Sequence, residues 1–251
     1  DFTTRGSLSG NTELENETAD SWTIGAVFTP TFAPGLTLSV DWVDIALEGA
    51  IQSVDAEGTL EACYDANDFP NSACDRIDRD GAGQVEFIRT GYLNVASYDY
   101  QGVIADLRWT EATPFLGADS RISLRGSYQY IDKLKQQVGT GDLSTFRGSP
   151  GYSKHQATVG VTYENNGFGA FTQIQYIGEN VVDPDAAPTS YQFFERDEIV
   201  YMDAGISFRT ENDFTFRFIV ENLFDRSAPY PAPTGGGLTT YFDGIMGRYF
   251  K

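Results

Sequence analysis

The stretch that decides the fold is Phe214-Thr215-Phe216-Arg217-Phe218-Ile219-Val220, which leads into Glu221-Asn222-Leu223-Phe224-Asp225. Its aromatic side chains recur at every second position, with Thr215 and Arg217 between them. Successive side chains of a β-strand point to opposite faces, so this period predicts a strand with one apolar and one polar face.

The same period of two recurs along the chain. Leu36, Leu38, Val40 and Trp42, for example, alternate with polar residues. The segments predicted as strands are 22–28, 36–42, 103–109, 122–130, 157–163, 170–178, 200–208 and 214–220. With a shortened strand at the C-terminal end they make about nine, each close to the length with which a tilted strand crosses a bilayer.

The connections between these strands alternate in length. Short connections with turn residues are predicted at 33–35, 111–119, 165–167 and 211–213. Long ones, rich in Asp, Gly, Pro and Tyr, are predicted at 48–96, 134–153, 180–198 and 225–246. Short turns on one side and long loops on the other are typical of outer-membrane β-barrels.

A soluble antiparallel β-sandwich is the alternative, because it would show the same alternation. Its loops, however, would not sort by side. Mid-strand charges such as Asp106, Arg125 and Asp203 also suit a hydrated barrel lumen better than one face of a compact sandwich. The sequence therefore favours an all-β, antiparallel transmembrane barrel.

Charge and hydropathy exclude two other classes. The 251 residues include 17 Lys and Arg against 36 Asp and Glu, a formal net charge of −19. A nucleic-acid partner is excluded, because binding to a phosphate backbone depends on concentrated positive charge. A helical membrane protein is excluded because no run approaches the roughly 18 apolar residues of a transmembrane helix.

Several segments resemble the C-terminal part of TonB-dependent outer-membrane receptors. Gly10-Asn11-Thr12-Glu13-Leu14-Glu15-Asn16-Glu17 is similar to a family loop that leads into a strand, and the segments at 34–42 and 90–96 resemble the hairpin and strand re-entry that follow. Asn222-Leu223-Phe224-Asp225 and Gly247-Arg248-Tyr249-Phe250 resemble the final strand pair. These matches cover nearly the whole chain in family order.

The resemblance implies a fold, a role and a location. Residues 1–251 would be about the last nine strands of a 22-stranded barrel, with the N-terminal plug domain and earlier strands absent from this chain. The implied function is active uptake of a scarce extracellular ligand, such as an oligosaccharide or siderophore, across the bacterial outer membrane. No catalysis, cofactor or metal is implied.

The resemblance also implies partners. TonB and the energised inner-membrane complex would act through the missing plug, and outer-membrane lipid and lipopolysaccharide would surround the barrel. The small ligand itself is not identified by the sequence.

The chain departs from the family pattern at both ends. It begins at Asp1 without a signal-like segment, plug or TonB box, and it ends at Lys251, where the family's last strand runs on to a terminal aromatic residue. We expect the native polypeptide to extend in both directions. An intact mass equal to that of this chain alone would contradict this expectation.

Cys63 and Cys74, the only cysteines, lie in the longest predicted loop. Because the exported side of the cell is oxidising, we predict a disulfide between them. A zinc site is disfavoured, since the single histidine, His155, is distant in sequence and there is no second cysteine pair.

Three further segments have two interpretations each. Asp75 to Gly81 resembles part of a calcium loop but lacks the anchoring carboxylates, so a turn is favoured. His155 would have to join Asp or Ser partners to serve an outer-membrane hydrolase, and an exposed loop-end histidine is favoured. Pro229 to Gly237 is either an ordered lid or a mobile tip.

Two other functions stay open at this point. A small self-contained barrel enzyme would be closed and would depend on His155. A soluble sandwich that binds a ligand would be extracted without detergent. The Tyr-, Pro- and Asp-rich loops fit either ligand binding by stacking and hydrogen bonding or plain solvated loops.

Overall fold

The computed structural model describes residues 5–12, 14–65, 69–71, 73–138, 143–229 and 240–251. Its strands are β1 Arg5–Ser9, β2 Thr18–Phe28, β3 Thr37–Val54, β4 Ile77–Arg79, β5 Val85–Ala112, β6 Arg121–Val138, β7 Ser144–Thr145, β8 His155–Asn165, β9 Phe168–Ile177, β10 Asn180–Val181, β11 Glu195–Arg196, β12 Ile199–Arg209, β13 Thr215–Glu221 and β14 Tyr249–Phe250. Its α-helices are Ala56–Tyr64 and Phe242–Met246. Within these ranges no helix has the length and apolarity to cross a membrane.

The chain divides into two compact units. One comprises Asp1–Trp22, Asp44–Tyr100 and Leu134–Thr145, and the other comprises Thr23–Val43, Gln101–Lys133 and Phe146–Lys251. We call them the loop unit and the sheet unit.

The described part of the chain contains a nine-strand path, whose strands from β8 to β14 lie wholly in the sheet unit. The strand order is β14-β13-β12-β9-β8-β6-β5-β3-β2, so strands that follow one another along this path are also neighbours in the sheet. Each pair of neighbouring strands from β6 to β14 is antiparallel. The predicted all-β antiparallel fold and all eight alternating segments are confirmed, and β14 is the ninth strand of the path.

One face of this sheet is apolar and exposed. Phe216 pairs with Phe208, which pairs with Phe168, and these side chains are 65%, 54% and 41% exposed. Further along, Val159 pairs with Ile174, and both remain about two-fifths exposed. Large apolar side chains without a covering layer in the described chain are what the lipid-facing side of a barrel requires.

The opposite face is polar. Arg125 pairs with Gly160, Gly160 with Gln173, and Gln173 with Asp203, which forms a continuous row across four strands. The aromatic Phe171 on this face is accommodated by Gly205 opposite it, where an added Cβ would lie 2.4 Å from a Phe171 ring carbon. The alternation read from the sequence therefore separates two chemically distinct surfaces.

Short turns join the strands as predicted. Asn166 and Gly167 both have positive φ between β8 and β9, and Asp213 has φ 63° between β12 and β13. Asn, Asp and Gly tolerate this left-handed backbone conformation better than other residues, which is why they mark the turns.

The loop unit corrects the predicted connection at 48–96. β3 continues to Val54 and β5 begins at Val85, so both strands extend far into the predicted loop. Ala50 and Val54 are buried while Ile51 is 40% exposed, so alternation continues there. The prediction missed it because polar residues occupy both faces of the strand at this level and the apolar signal is lost.

The rest of the loop unit is built around β5. β1 pairs with it in parallel and β4 pairs with it antiparallel. The helix Ala56–Tyr64 begins at Asp55, whose carboxylate accepts a hydrogen bond from the Gly58 amide at 2.8 Å. This is an ordinary N-cap, which satisfies one of the free amides at the start of a helix.

Candidate functional site

Asn222, the first residue of the C-terminal motif, is completely buried in the sheet unit. Its Nδ2 donates to the carbonyls of Arg226 at 2.8 Å and Asp243 at 3.0 Å, and its Oδ1 accepts from the Arg226 amide at 2.8 Å. Its own amide donates to Asp203 Oδ1 at 2.9 Å. One side chain therefore closes the turn after β13 and fixes the short helix Phe242–Met246.

The other motif residues surround this turn. Asp225 Oδ1 accepts a hydrogen bond from the Arg248 amide at 2.8 Å, and Gly247 has φ 73° beside it. The Leu223 amide donates to the Met202 carbonyl at 2.7 Å, whereas Phe224 is 63% exposed. The structure thus brings Asn222, Asp225, Gly247 and Arg248 together, although residues 226–246 separate the two halves of the motif in sequence.

A buried cluster that sequence reasoning missed lies next to this turn. Ile177, Tyr201 and Tyr241 form its core, with Ile199 and Ala228 against it. Asn180 Nδ2 donates to the Tyr241 hydroxyl and to Ser153 Oγ. Tyr241 and Asn180 stand outside any alternating segment, so no periodic signal marks them in the sequence.

Asp243 carries an unfavourable charge in this region. Burial raises the pKa of its carboxyl, and the carboxylates of Asp203 and Glu221 raise it further, while Lys251 opposes the shift. Nearby Arg196 is buried, and that burial lowers the pKa of its guanidinium. The predicted lid or tip at Pro229–Gly237 lies, apart from Pro229, outside the described residues.

The family-like segments of the loop unit also meet. Asn11 donates to the Tyr92 carbonyl at 3.1 Å, and Glu17 accepts from the Ile51 amide at 2.6 Å. Asn94 donates to the carbonyls of Glu15 and Gly49 at 2.8 and 2.7 Å. Tyr92 and Asn94 belong to β5 and Ile51 to β3, so these contacts hold Asn11 and Glu15 against β5 and Glu17 against β3.

The predicted pair Cys63 and Cys74 forms a disulfide in the structure, with a Cα–Cα distance of 4.8 Å. It links the end of the helix Ala56–Tyr64 to the short 3₁₀ turn Cys74–Arg76. Asn71 Nδ2 reinforces the link by donating to the Ala62 carbonyl at 2.9 Å. Cys63 is 1% exposed, so the helix is anchored at a buried point.

A partly open pocket of about 560 Å³ lies beside this helix, entirely within the loop unit. Its apolar lining includes Val54, Leu93, Val95 and Val138. Its charged lining residues are Glu15, Glu61, Asp75 and Arg76. A volume of this size suits a small ligand, and this pocket is the candidate binding site of the loop unit.

The Asp75–Gly81 segment includes the end of the 3₁₀ turn Cys74–Arg76, strand β4 Ile77–Arg79 and a turn that begins at Asp80, so the predicted turn covers only its last part. Asp80 Oδ1 accepts from the amides of Ala82 and Gln84, and Asp78 pairs with Arg89 at 2.5 Å. Across the described residues, no group of three or more His, Cys, Asp or Glu is placed to hold a metal ion.

His155 lies exposed at the start of β8 among tyrosines. Its Nδ1 is 2.8 Å from the Tyr128 hydroxyl, and its ring stacks on Tyr130 at a centroid distance of 5.0 Å. In the described chain, its ring has no Asp or Ser hydrogen-bond partner of the kind that a hydrolase requires.

Comparison with known proteins gives one family. A family model described as "TonB dependent receptor-like, beta-barrel" matches residues 1–223. No curated protein matches this chain.

Solved structures match the chain over most of its length. A mutant of the ferric enterobactin receptor PfeA from Pseudomonas aeruginosa, in complex with enterobactin, is 14% identical with a TM-score of 0.57, and the match covers 97% of this chain and 32% of the receptor. The siderophore receptor PirA from Acinetobacter baumannii is 15% identical (TM-score 0.55; coverage 87% and 29%). The FrpB iron transporter from Neisseria meningitidis is 9% identical (TM-score 0.57; coverage 89% and 29%). The chain therefore spans about a third of the length of these structures and shares their fold.

Proposed function

Because its residues 1–223 match the family model, this chain belongs to the TonB-dependent receptor-like β-barrel family, and we propose that it takes part in active uptake across the bacterial outer membrane. The observation that carries the proposal is the two-faced sheet. An exposed apolar face beside a polar face is explained by lipid on one side and a hydrated lumen on the other.

The family of this chain is the basis for proposing an energy source and a plug domain. We propose that the chain is the C-terminal portion of the barrel in a longer polypeptide, with lipid and lipopolysaccharide around it. A plug elsewhere in that polypeptide would engage TonB and the energised inner-membrane complex. Proteins of this family are transporters rather than enzymes, so we assign no reaction on the ligand.

The ligand is proposed at the level of chemical class. PfeA is a ferric enterobactin receptor, PirA a siderophore receptor and FrpB an iron transporter, so iron chelates are the first class to test. Oligosaccharides are the second, because the loops are rich in Tyr, Pro and Asp.

The test is uptake by cells that produce the native polypeptide carrying this sequence. A panel of radiolabelled ferric chelates and oligosaccharides would be offered to cells with and without TonB. We expect at least one ligand to accumulate only when both the receptor and TonB are present. Accumulation that persists without TonB would contradict the proposal, and so would the absence of accumulation across the whole panel.

A further inference from the structure

The pocket of the loop unit combines an apolar floor with an acidic rim. Val54 is 7% exposed, and Leu93, Val95 and Val138 join it in the apolar lining. Glu15, Glu61 and Asp75 contribute three exposed carboxylates, against one guanidinium from Arg76. The charged groups of the lining therefore sum to a formal charge of −2, three negative and one positive.

The acidic groups are available to a ligand. None of the three carboxylates forms an ion pair with another residue in the described ranges. The guanidinium of Arg76, the single cation of the lining, donates one hydrogen bond to the Arg89 carbonyl at 3.4 Å. A positively charged ligand would therefore meet unpaired negative charge, and a multiply anionic ligand would meet repulsion.

The side chains that line the pocket do not suit a bare metal ion. Among the described residues, no group of three or more His, Cys, Asp or Glu side chains is placed so that it could hold a metal ion, and this includes the three carboxylates of the lining. Six of the lining residues have aliphatic side chains, and burial of an aliphatic or otherwise apolar ligand surface against them is favourable. The complementary ligand is consequently an organic molecule with both an apolar body and a positive charge.

We propose that the pocket beside helix Ala56–Tyr64 binds a small amphipathic molecule through a protonated amine. The apolar body lies on the Val54, Leu93 and Val138 floor, and the amine faces Glu61 and Asp75. The Cys63–Cys74 disulfide holds Glu61 and Asp75 on connected segments, which reduces the ordering cost on binding. This inference rests on the proposed function and narrows the ligand class to neutral or cationic molecules.

A matched pair of probes tests the charge. Ferrioxamine B is a compact ferric trihydroxamate with a pendant protonated amine, and its N-acetylated form lacks only that charge. Both would be titrated against the detergent-solubilised native polypeptide by equilibrium dialysis. We expect the amine form to bind and the acetylated form to bind about tenfold more weakly. Equal affinity for the two forms, or no binding of the amine form, would overturn the assignment.

A matched pair of variants tests the location. E61Q combined with D75N should weaken binding of the amine form about tenfold and leave binding of the acetylated form unchanged. E57Q is the control, because Glu57 is exposed on the same helix but does not line the pocket. An equal loss of affinity in E57Q would show that the general surface charge weakens binding. The proposal that the amine binds in the pocket would then be wrong.

The two proposals fail in different ways. TonB-dependent uptake that is insensitive to E61Q and D75N, with equal affinity for the two probes, would reject the pocket and leave the transport function standing. Charge-selective binding without TonB-dependent uptake of any ligand would reject the transport function and leave the pocket assignment standing.

Discussion

At the scale of single residues, Asn222 accounts for the C-terminal motif through backbone contacts. Its side chain satisfies two carbonyls and one amide of a buried turn, and its φ of 50° is one that Asn tolerates better than most residues. We expect N222G, which keeps the backbone conformation accessible, to destabilise the turn by about 2 kcal/mol because buried groups lose their partners.

N222A should cost about 1 kcal/mol more than N222G, since alanine disfavours positive φ. Hydrogen exchange at the amides of Arg226 and Arg248 measures both changes, and F224A at an exposed motif position is the control. Wild-type protection in N222G would show that only the backbone conformation matters.

Asp243 makes the stability of the buried turn depend on pH. The folded-state pKa of its carboxyl lies above the ordinary value of 3.8 for an aspartate, chiefly because of burial. Its contribution to stability is fully present below that value and is lost as pH rises through the raised pKa, because the ionised form is disfavoured in the folded state. At neutral pH the charge therefore weakens the turn.

D243N removes this penalty. We expect the variant to protect the Arg248 amide more than wild type at pH 7, with the difference shrinking towards pH 4. The measurement is the protection of the Arg248 amide from hydrogen exchange, compared between wild type and D243N at each pH. D197N, at an exposed position of the same unit, is the control. A constant difference between pH 4 and 7 would show that the carboxyl charge is not responsible.

At the scale of elements, the disulfide decides how firmly the helix Ala56–Tyr64 is held. It closes a loop over a sequence separation of 11, and in the chain-entropy model such a cross-link contributes about 2–3 kcal/mol. We expect C63S combined with C74S to increase proteolysis and hydrogen exchange within residues 56–79. Protection of β8 and β9 in the sheet unit should not change, and free thiols in the unreduced wild type would refute the premise.

Some elements of the fold could be predicted from the sequence and others could not. Strands in the sheet unit were predictable because one face must be apolar, and this imposes a period of two on residues such as Phe214, Phe216 and Phe218. The extension of β3 to Val54 and the helix after it were not, because polar residues interrupt the apolar ones on both faces there: Gln52 lies between Ala50 and Val54, and Ser53 follows Ile51. The disulfide pairing followed from the cysteine count, whereas the pocket depends on residues from five separated segments that only the fold brings together.

At the scale of the whole molecule, the apolar face of the sheet unit must lie against lipid if the barrel assignment holds. Ile174 and Gln173 are adjacent on β9 and point to opposite faces, with Ile174 paired to Val159 and Met202, and Gln173 paired to Gly160 and Asp203. Changing each of them to arginine in turn tests the environment of each face with the same new side chain.

We expect I174R to impair outer-membrane assembly severely, because an arginine on the lipid face near the bilayer midplane costs about 2–4 kcal/mol. Q173R should assemble normally, since its charge enters the polar face beside Asp203. Heat-modifiable migration of the native polypeptide in gels measures the folded fraction of each. Normal assembly of I174R would mean that the exposed apolar face is not the lipid-facing surface, and the proposed orientation of the sheet in the membrane would have to be reversed.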